Sequence, residues 1–157
     1  LRGLESERTK NMIKVKETLH VSAESFFYQL TKSAAFDVRM ATGKKVTEKQ
    51  LYEGYQYKKT MKNKMGRSGE VRVRITELKP PVRYSAEFKS AAGTNEISYD
   101  IEKLGEDKIS VTYTEGFAGD TKSQDINYKI IGALYKRRAK KKTARKLHDI
   151  EAYIQKG

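Results

Sequence analysis

The sequence predicts an α+β domain: an antiparallel sheet of about six strands, two short helices after the first strand, and a long C-terminal helix as cover. Three observations predict it. Apolar residues alternate with polar ones at Ile13, Val15, Leu19 and Val21, and again in runs between Tyr55 and Tyr113, which is the period of a half-buried strand. Short turns carrying Gly or Pro separate those runs, so the strands pair antiparallel. From Thr121 to Gly157 only Gly132 interrupts a helical stretch, and a sheet with one apolar face needs such an element to cover it.

The elements follow in order. Glu17 shares the register of the first strand's apolar face. Ser22 is placed as a helix N-cap, with Val21 and Phe26 at the two positions of a hydrophobic staple. Phe26, Phe27, Leu30 and Ala34 give one apolar helical face. A second short helix carries Phe36 and Met40 and stops at Gly43. Tyr55, Tyr57 and Met61 alternate next, then a polar turn with Gly66 and Gly69 leads to Val71, Val73 and Ile75. Pro80-Pro81 ends that strand, because proline donates no ladder hydrogen bond. Val82, Tyr84, Ala86 and Phe88 form another strand, turned at Ala92-Gly93-Thr94. Ile97, Tyr99 and Ile101 follow, and Gly105-Glu106-Asp107 turns into Ile109, Val111 and Tyr113. Thr121 and Gln124 have capping-box spacing. The helix they open would run about 35 residues, or roughly 50 Å.

The 157 residues suggest one domain. It is placed at 12–157, with 1–11 as a native extension or a cloning remnant. The absence of cysteine excludes disulfides, thiolate chemistry and sulfur-ligated zinc. No apolar run approaches the ~20 residues of a membrane span, and no signal-peptide pattern opens the chain, so a cytoplasmic location is expected. No nucleotide-binding glycine pattern, calcium loop or nucleophile elbow occurs, and no cofactor or metal is expected. The net charge is +13, and the run Lys136–Lys146 alone carries eight cations and no acid. The excess is therefore a patch, not a uniform field.

Two groups of residues are candidates for function. The inward register carries Tyr55, Tyr57, Tyr84, Phe88, Tyr99 and Tyr113. These rings either fill the core or wall a pocket, where a tyrosine supplies both apolar surface and a polar tip. Glu17 on an inward face pairs with a Lys, meets a ligand, or sits at the wet end of its strand. Leu134 joins this group from the helix, whose first apolar stripe is Ile126, Ile130, Ala133 and Leu134. Extending that stripe lands on Arg137, Lys140 and Ala144, so the basic run looks cationic all round. Either its stems lie over apolar neighbours, or the helix leaves the sheet near Tyr135 and returns with Leu147, Ile150 and Ile154. Lys136, Arg137, Arg138, Lys140, Lys141, Lys142, Arg145 and Lys146 would then form a collar for phosphates of nucleic acid or an anionic membrane. His20 reads as exposed, and His148 with Glu151 as a surface pair.

The order of elements resembles the helix-grip superfamily, which includes START lipid-transfer domains, plant allergen-like proteins and polyketide cyclases. The stretches that carry the resemblance are IKVKETLHVSAESFFYQL, ITELKPPVRYSAEF and DKISVTYTEGFAG. With the basic stretch LYKRRAKKKTARKLHDIEAYI, the chain is also similar to a small bacterial family, domain of unknown function 3284. The resemblance implies a sheet curled around the long helix, with a cavity between them that superfamily members use for lipids, hormones or polyketides. It implies a binding module for a small apolar or amphipathic ligand. The alternatives are nucleic-acid or anionic-membrane binding through the basic helix, and a polyketide-cyclase-like enzyme using Glu17 and a tyrosine as acid and base.

Overall fold

The computed structural model describes residues 12–62, 66–119 and 132–157. Strand β1 (Ile13–Leu19) is followed by helix α1 (Ala23–Thr42), a single 3-10 turn (Glu48–Gln50), strands β2 (Gln56–Lys62), β3 (Ser68–Lys79), β4 (Arg83–Ser90), β5 (Gly93–Gly105) and β6 (Lys108–Gly119), and helix α2 (Gly132–Lys156). The six strands form one antiparallel sheet in the order β1-β6-β5-β4-β3-β2. Strands β2 to β6 are a meander of hairpins, and β1 returns to pair with β6. The expected extension at 1–11 and the Thr121–Gln124 cap lie outside the described residues.

The register is set by which side chains must be buried. In β1 the sequence IKVKETL buries Ile13, Val15 and Leu19 and half-buries Glu17. β3 shows the same rule with a correction built in. Its alternation would turn Glu77 inward after Ile75, but the ladder shifts between them, so that Glu77 pairs with Ser85 and Leu78 with Tyr84. One extra residue keeps the acid out and brings Leu78 against the core. Val82 precedes β4 in the turn and is exposed.

The two short helices expected after β1 are one helix of 20 residues. Nothing between Ala34 and Phe36 breaks it. The core-facing row continues from Leu30 and Thr31 through Ala35 to Val38, while Phe36 and Met40 are 56% and 72% exposed. The apolar residues assigned to a second helix therefore lie on the outer side of the first. Ser22 caps it, its hydroxyl accepting the Ser25 N–H at 3.1 Å, and the staple residues Val21 and Phe26 are buried. Gly43 ends it at φ 75°, donating its N–H to the Arg39 carbonyl at 2.9 Å, a conformation glycine adopts without a Cβ clash.

Helix α2 packs on β1 and α1. Its inner stripe is Tyr135, Ala139, Ala144, Leu147, Ile150 and Ile154, with Leu147 only 2% exposed. This corrects the reading of the basic run. The segment does have a neutral side, made of the half-buried Ala139, Thr143 and Ala144, and it stays on the protein past Tyr135. Small residues carry little hydrophobic signal, and a stripe projected forward from Ile126 and Leu134 misplaced the phase.

A polar cluster ties the far end of α2 to β1. Glu151 accepts the His20 N–H at 2.6 Å through one oxygen and meets His148 Nδ1 at 2.9 Å through the other. His148 Nε2 lies 3.5 Å from Glu17. Gln155 donates to the His20 carbonyl at 3.1 Å. The hydrogen bond to Glu151 and the charges of Glu151 and Glu17 raise the His148 pKa despite some desolvation. Burial pushes the Glu151 pKa up, but its bonds from His148 and the His20 N–H hold it below the usual carboxylate range.

Two outcomes follow from this packing. Leu147→Ala costs about 3 kcal/mol in urea denaturation, because it leaves a cavity under α2, whereas Met40→Ala changes stability by no more than about 0.5 kcal/mol. The second concerns pH. A histidine whose pKa is raised by folding contributes stability below its unfolded value of about 6.5 and loses it as pH rises through the folded value. Thermal scans between about pH 6 and 8.5 should show Tm falling by ~1–2 °C more in the wild type than in His148→Gln, a small effect because the pair is part-exposed.

Candidate functional site

Among the described residues the helices leave part of the inner face of the sheet uncovered. Between α1, α2 and strands β2 to β5 lies an open groove of about 510 Å³. That is the size of a site for a small organic molecule. Leu30 and Ala34 of α1, Val73, Phe88 and Ile97 of the sheet, and Ile150 and Tyr153 of α2 supply its apolar walls.

The strand ladders place the tyrosines. Leu78, Tyr84, Tyr99, Tyr113 and Val15 are directly opposite one another from β3 across to β1. Their common register turns this row inward. The Tyr84 and Tyr99 rings stand 6.2 Å apart, centroid to centroid, and Tyr99 and Tyr113 pack edge to face at 5.0 Å, a favourable arrangement of aromatic quadrupoles. Phe26 closes on Tyr99 from α1 at 6.3 Å. Behind this row Glu115 accepts from Asn95 at 3.1 Å and from the Tyr113 hydroxyl at 3.3 Å.

A charged cluster forms the other side of the groove. Tyr57 and Lys59 occupy the inward register of β2, and Asp37 lies two turns after Leu30 on α1. The Tyr57 hydroxyl donates to Asp37 Oδ2, and Lys59 Nζ reaches the same oxygen at 2.8 Å. The Lys59 ammonium also stands 5.5 Å from the centre of the Phe88 ring, within reach of a cation–π attraction. Its side chain is 18% exposed, so the carboxylate is what makes the buried charge tolerable. Burial first, and Asp37 second, push the Tyr57 phenol far above its ordinary pKa. Burial also raises Tyr84, and pushes Tyr99 up to about 12. All three remain neutral phenols at physiological pH.

The groove thus brings together Tyr57, Tyr84, Phe88 and Tyr99 of the residues expected from sequence. Tyr55 is half-buried against the core between Tyr52 and Tyr57, and Tyr113 stands behind Tyr99. Glu17 is not assembled with a tyrosine as acid and base; it meets His148 of α2. The Leu134 side chain lies outside those described. Arg137, Arg138, Lys140, Lys141, Lys142, Arg145 and Lys146 are exposed, and Lys136 is half-buried.

Asp37, Lys59 and Glu115 were missed by the sequence reading. Each had a signal. Lys59 is two residues beyond Tyr57 and Glu115 two beyond Tyr113, in the same registers. Asp37 is seven beyond Leu30, on the same helical face.

Comparison with known proteins agrees with this architecture. Residues 13–136 match the family described as Domain of unknown function (DUF3284). No curated protein matches. Among solved structures, a protein from Arthrobacter aurescens superposes with a TM-score of 0.61 at 8% identity, covering 95% of this chain and 88% of its own. Ara h 8.0201 gives 0.60 at 10%, covering 93% and 98%. A protein from Rhodobacter sphaeroides gives 0.57 at 11%, covering 92% and 93%. At such identities the likeness is one of fold. With its family match spanning most of the sequence and its sheet and terminal helix arranged as a helix grip, the chain belongs to the DUF3284 family.

Proposed function

We propose that the protein is a binding module that holds a small apolar or amphipathic molecule in the groove between the sheet and its two helices. The observation that carries this reading is the groove itself: about 510 Å³ of space, walled by aromatic and aliphatic side chains, with the Asp37–Tyr57–Lys59 cluster at one side. A few placed polar groups on apolar walls are the pattern of a small-molecule site. The apolar body of a ligand lies against Phe88, Ile97 and Ile150, and its polar end meets the polar groups of the groove. The helix-grip resemblance supports the same reading.

Native mass spectrometry of protein purified from its own host should show a bound species of small-molecule mass. In solution, the uncharged dye Nile red should bind with a blue-shifted emission. Ala34→Trp, which fills the groove from α1, should weaken that binding by about tenfold or more with an unchanged far-UV spectrum. Equal binding by a folded Ala34→Trp protein would remove the reading.

A second reading rests on α2. At about 100° per residue, Arg137, Arg138, Lys141, Lys142 and Arg145 share an arc of about 140° on the outer face, and all are exposed. Five cations in register form a stripe suited to phosphate-bearing partners, whether nucleic-acid backbone or anionic headgroups. If all five engage a duplex, affinity should fall by about 10²- to 10³-fold between about 50 and 200 mM salt. Salt-independent binding, or binding unaffected by Arg138→Glu with Lys142→Glu, would count against the stripe. Titration with phosphatidylserine vesicles separates the membrane partner from the nucleic-acid one.

A further inference from the structure

We propose that Tyr84 and Tyr99 are hydrogen-bond donors to the ligand, and that the groove selects ring-sized apolar molecules carrying an uncharged carbonyl oxygen. The inference rests on the groove reading above and names the chemistry of its occupant.

Tyr84 and Tyr99 face each other on adjacent strands and both line the groove. Tyr84 is 8% exposed. Neither hydroxyl has a hydrogen-bond partner among the described residues, whereas Tyr57 donates to Asp37 and Tyr113 to Glu115. No fully enclosed side-chain N or O of the described residues lacks a partner. The two unpartnered hydroxyls therefore open onto the groove space and are not sealed in the core. A ligand that displaces water from these phenols must supply an acceptor, since a donor left unmet beneath it is costly.

The charge around them decides which acceptor. Burial holds both phenols protonated, so they donate and carry no charge. The nearby Lys59 ammonium is already matched by Asp37 at 2.8 Å, and Glu115 lies on the Tyr99 side. A carboxylate or phosphate pushed against the tyrosine pair would bury an anion next to acids without a cation to balance it. A carbonyl oxygen accepts two hydrogen bonds along its lone pairs and brings no net charge. The flat walls formed by Phe88, Tyr84 and Tyr99 suit a ring system, which stacks on aromatic faces.

The test uses a matched pair of probes, fluorenone and fluorene, which differ in having C=O or CH₂ at one ring position. Affinities are measured by fluorescence or calorimetry for the wild type, Tyr84→Phe, Tyr99→Phe and the double variant. The fluorenone-to-fluorene affinity ratio should fall about tenfold in the double variant, with fluorene binding retained, and by a smaller factor in each single variant. Infrared spectra of fluorenone on the wild-type protein give a readout that needs no variant: hydrogen bonding should move the carbonyl band to lower wavenumber than in hydrocarbon solvent. An unchanged ratio, together with a carbonyl band at its hydrocarbon position, would overturn the donor assignment and leave the groove standing. Failure of both probes to bind, along with Nile red, would remove the groove reading and this inference with it.

Discussion

The structure depends on one constraint, that the inner face of a six-stranded sheet is shielded from water, among the described residues, by two α-helices. Helix α1 packs against β2 and β5, and α2 packs against β1 and α1. The strongest burial is at Ile13, Leu19, Phe26, Val38, Ile75, Ile109, Val111 and Leu147, most of it on β1, β6 and the two helices. Apolar area removed from water there drives folding at about 25 cal/mol per Å². Strands β3 to β5 keep inner positions that neither helix reaches fully, and the groove is that remainder. It is a consequence of how the cover is anchored: α2 packs on β1 and α1, and among the described residues the middle of the sheet stays open.

The composition of the uncovered strip fits that position. Phe or Leu alone would leave an exposed greasy surface, while charged residues alone would unpick the core beside it. Tyrosine satisfies both demands. In the row Tyr84–Tyr99–Tyr113 the rings extend the core packing sideways, and the Tyr113 hydroxyl donates to Glu115. Ion pairing does the same for the remaining polar residues. Lys59 is tolerable on an inner face because Asp37 and the Phe88 ring lie against it, and Glu115 because Asn95 and Tyr113 donate to it.

Most of the fold was legible because it is written in short-range patterns. Period-two alternation marked every strand, and Ser22 and Gly43 marked the ends of α1. Where the reading failed, the signal was either absent or ambiguous. Phe36 and Met40 are apolar and exposed, so their hydrophobicity argued for a helix face that does not exist. Ala139 and Thr143 are small, so the true inner stripe of α2 looked interrupted. The tyrosines of the groove were legible because register alone places them. Lys59 and Asp37 were not, because a charged residue is normally assigned to water and only the fold shows that these two meet. Glu17 shares the inner register of β1, but its partner His148 is 131 positions away in sequence and no local rule connects them.

Helix α2 joins the two surfaces on which function is proposed. Ile150 and Tyr153 line the groove from its last turns, and the exposed cations from Arg137 to Arg145 occupy its outer face. The His148–Glu151–Glu17 cluster lies between them and holds the helix to β1. Arg145, the last cation of the stripe, stands five positions before Ile150, roughly 7.5 Å along the axis and about 140° round it, so the stripe and the groove lie on different faces of the helix. Any coupling between them must pass through the seating of the helix. A partner that binds the stripe better when α2 is seated than when it is displaced stabilises the groove, and by linkage a groove ligand strengthens that partner's binding by the same factor. A partner indifferent to the position of α2 couples to nothing, however tightly it binds.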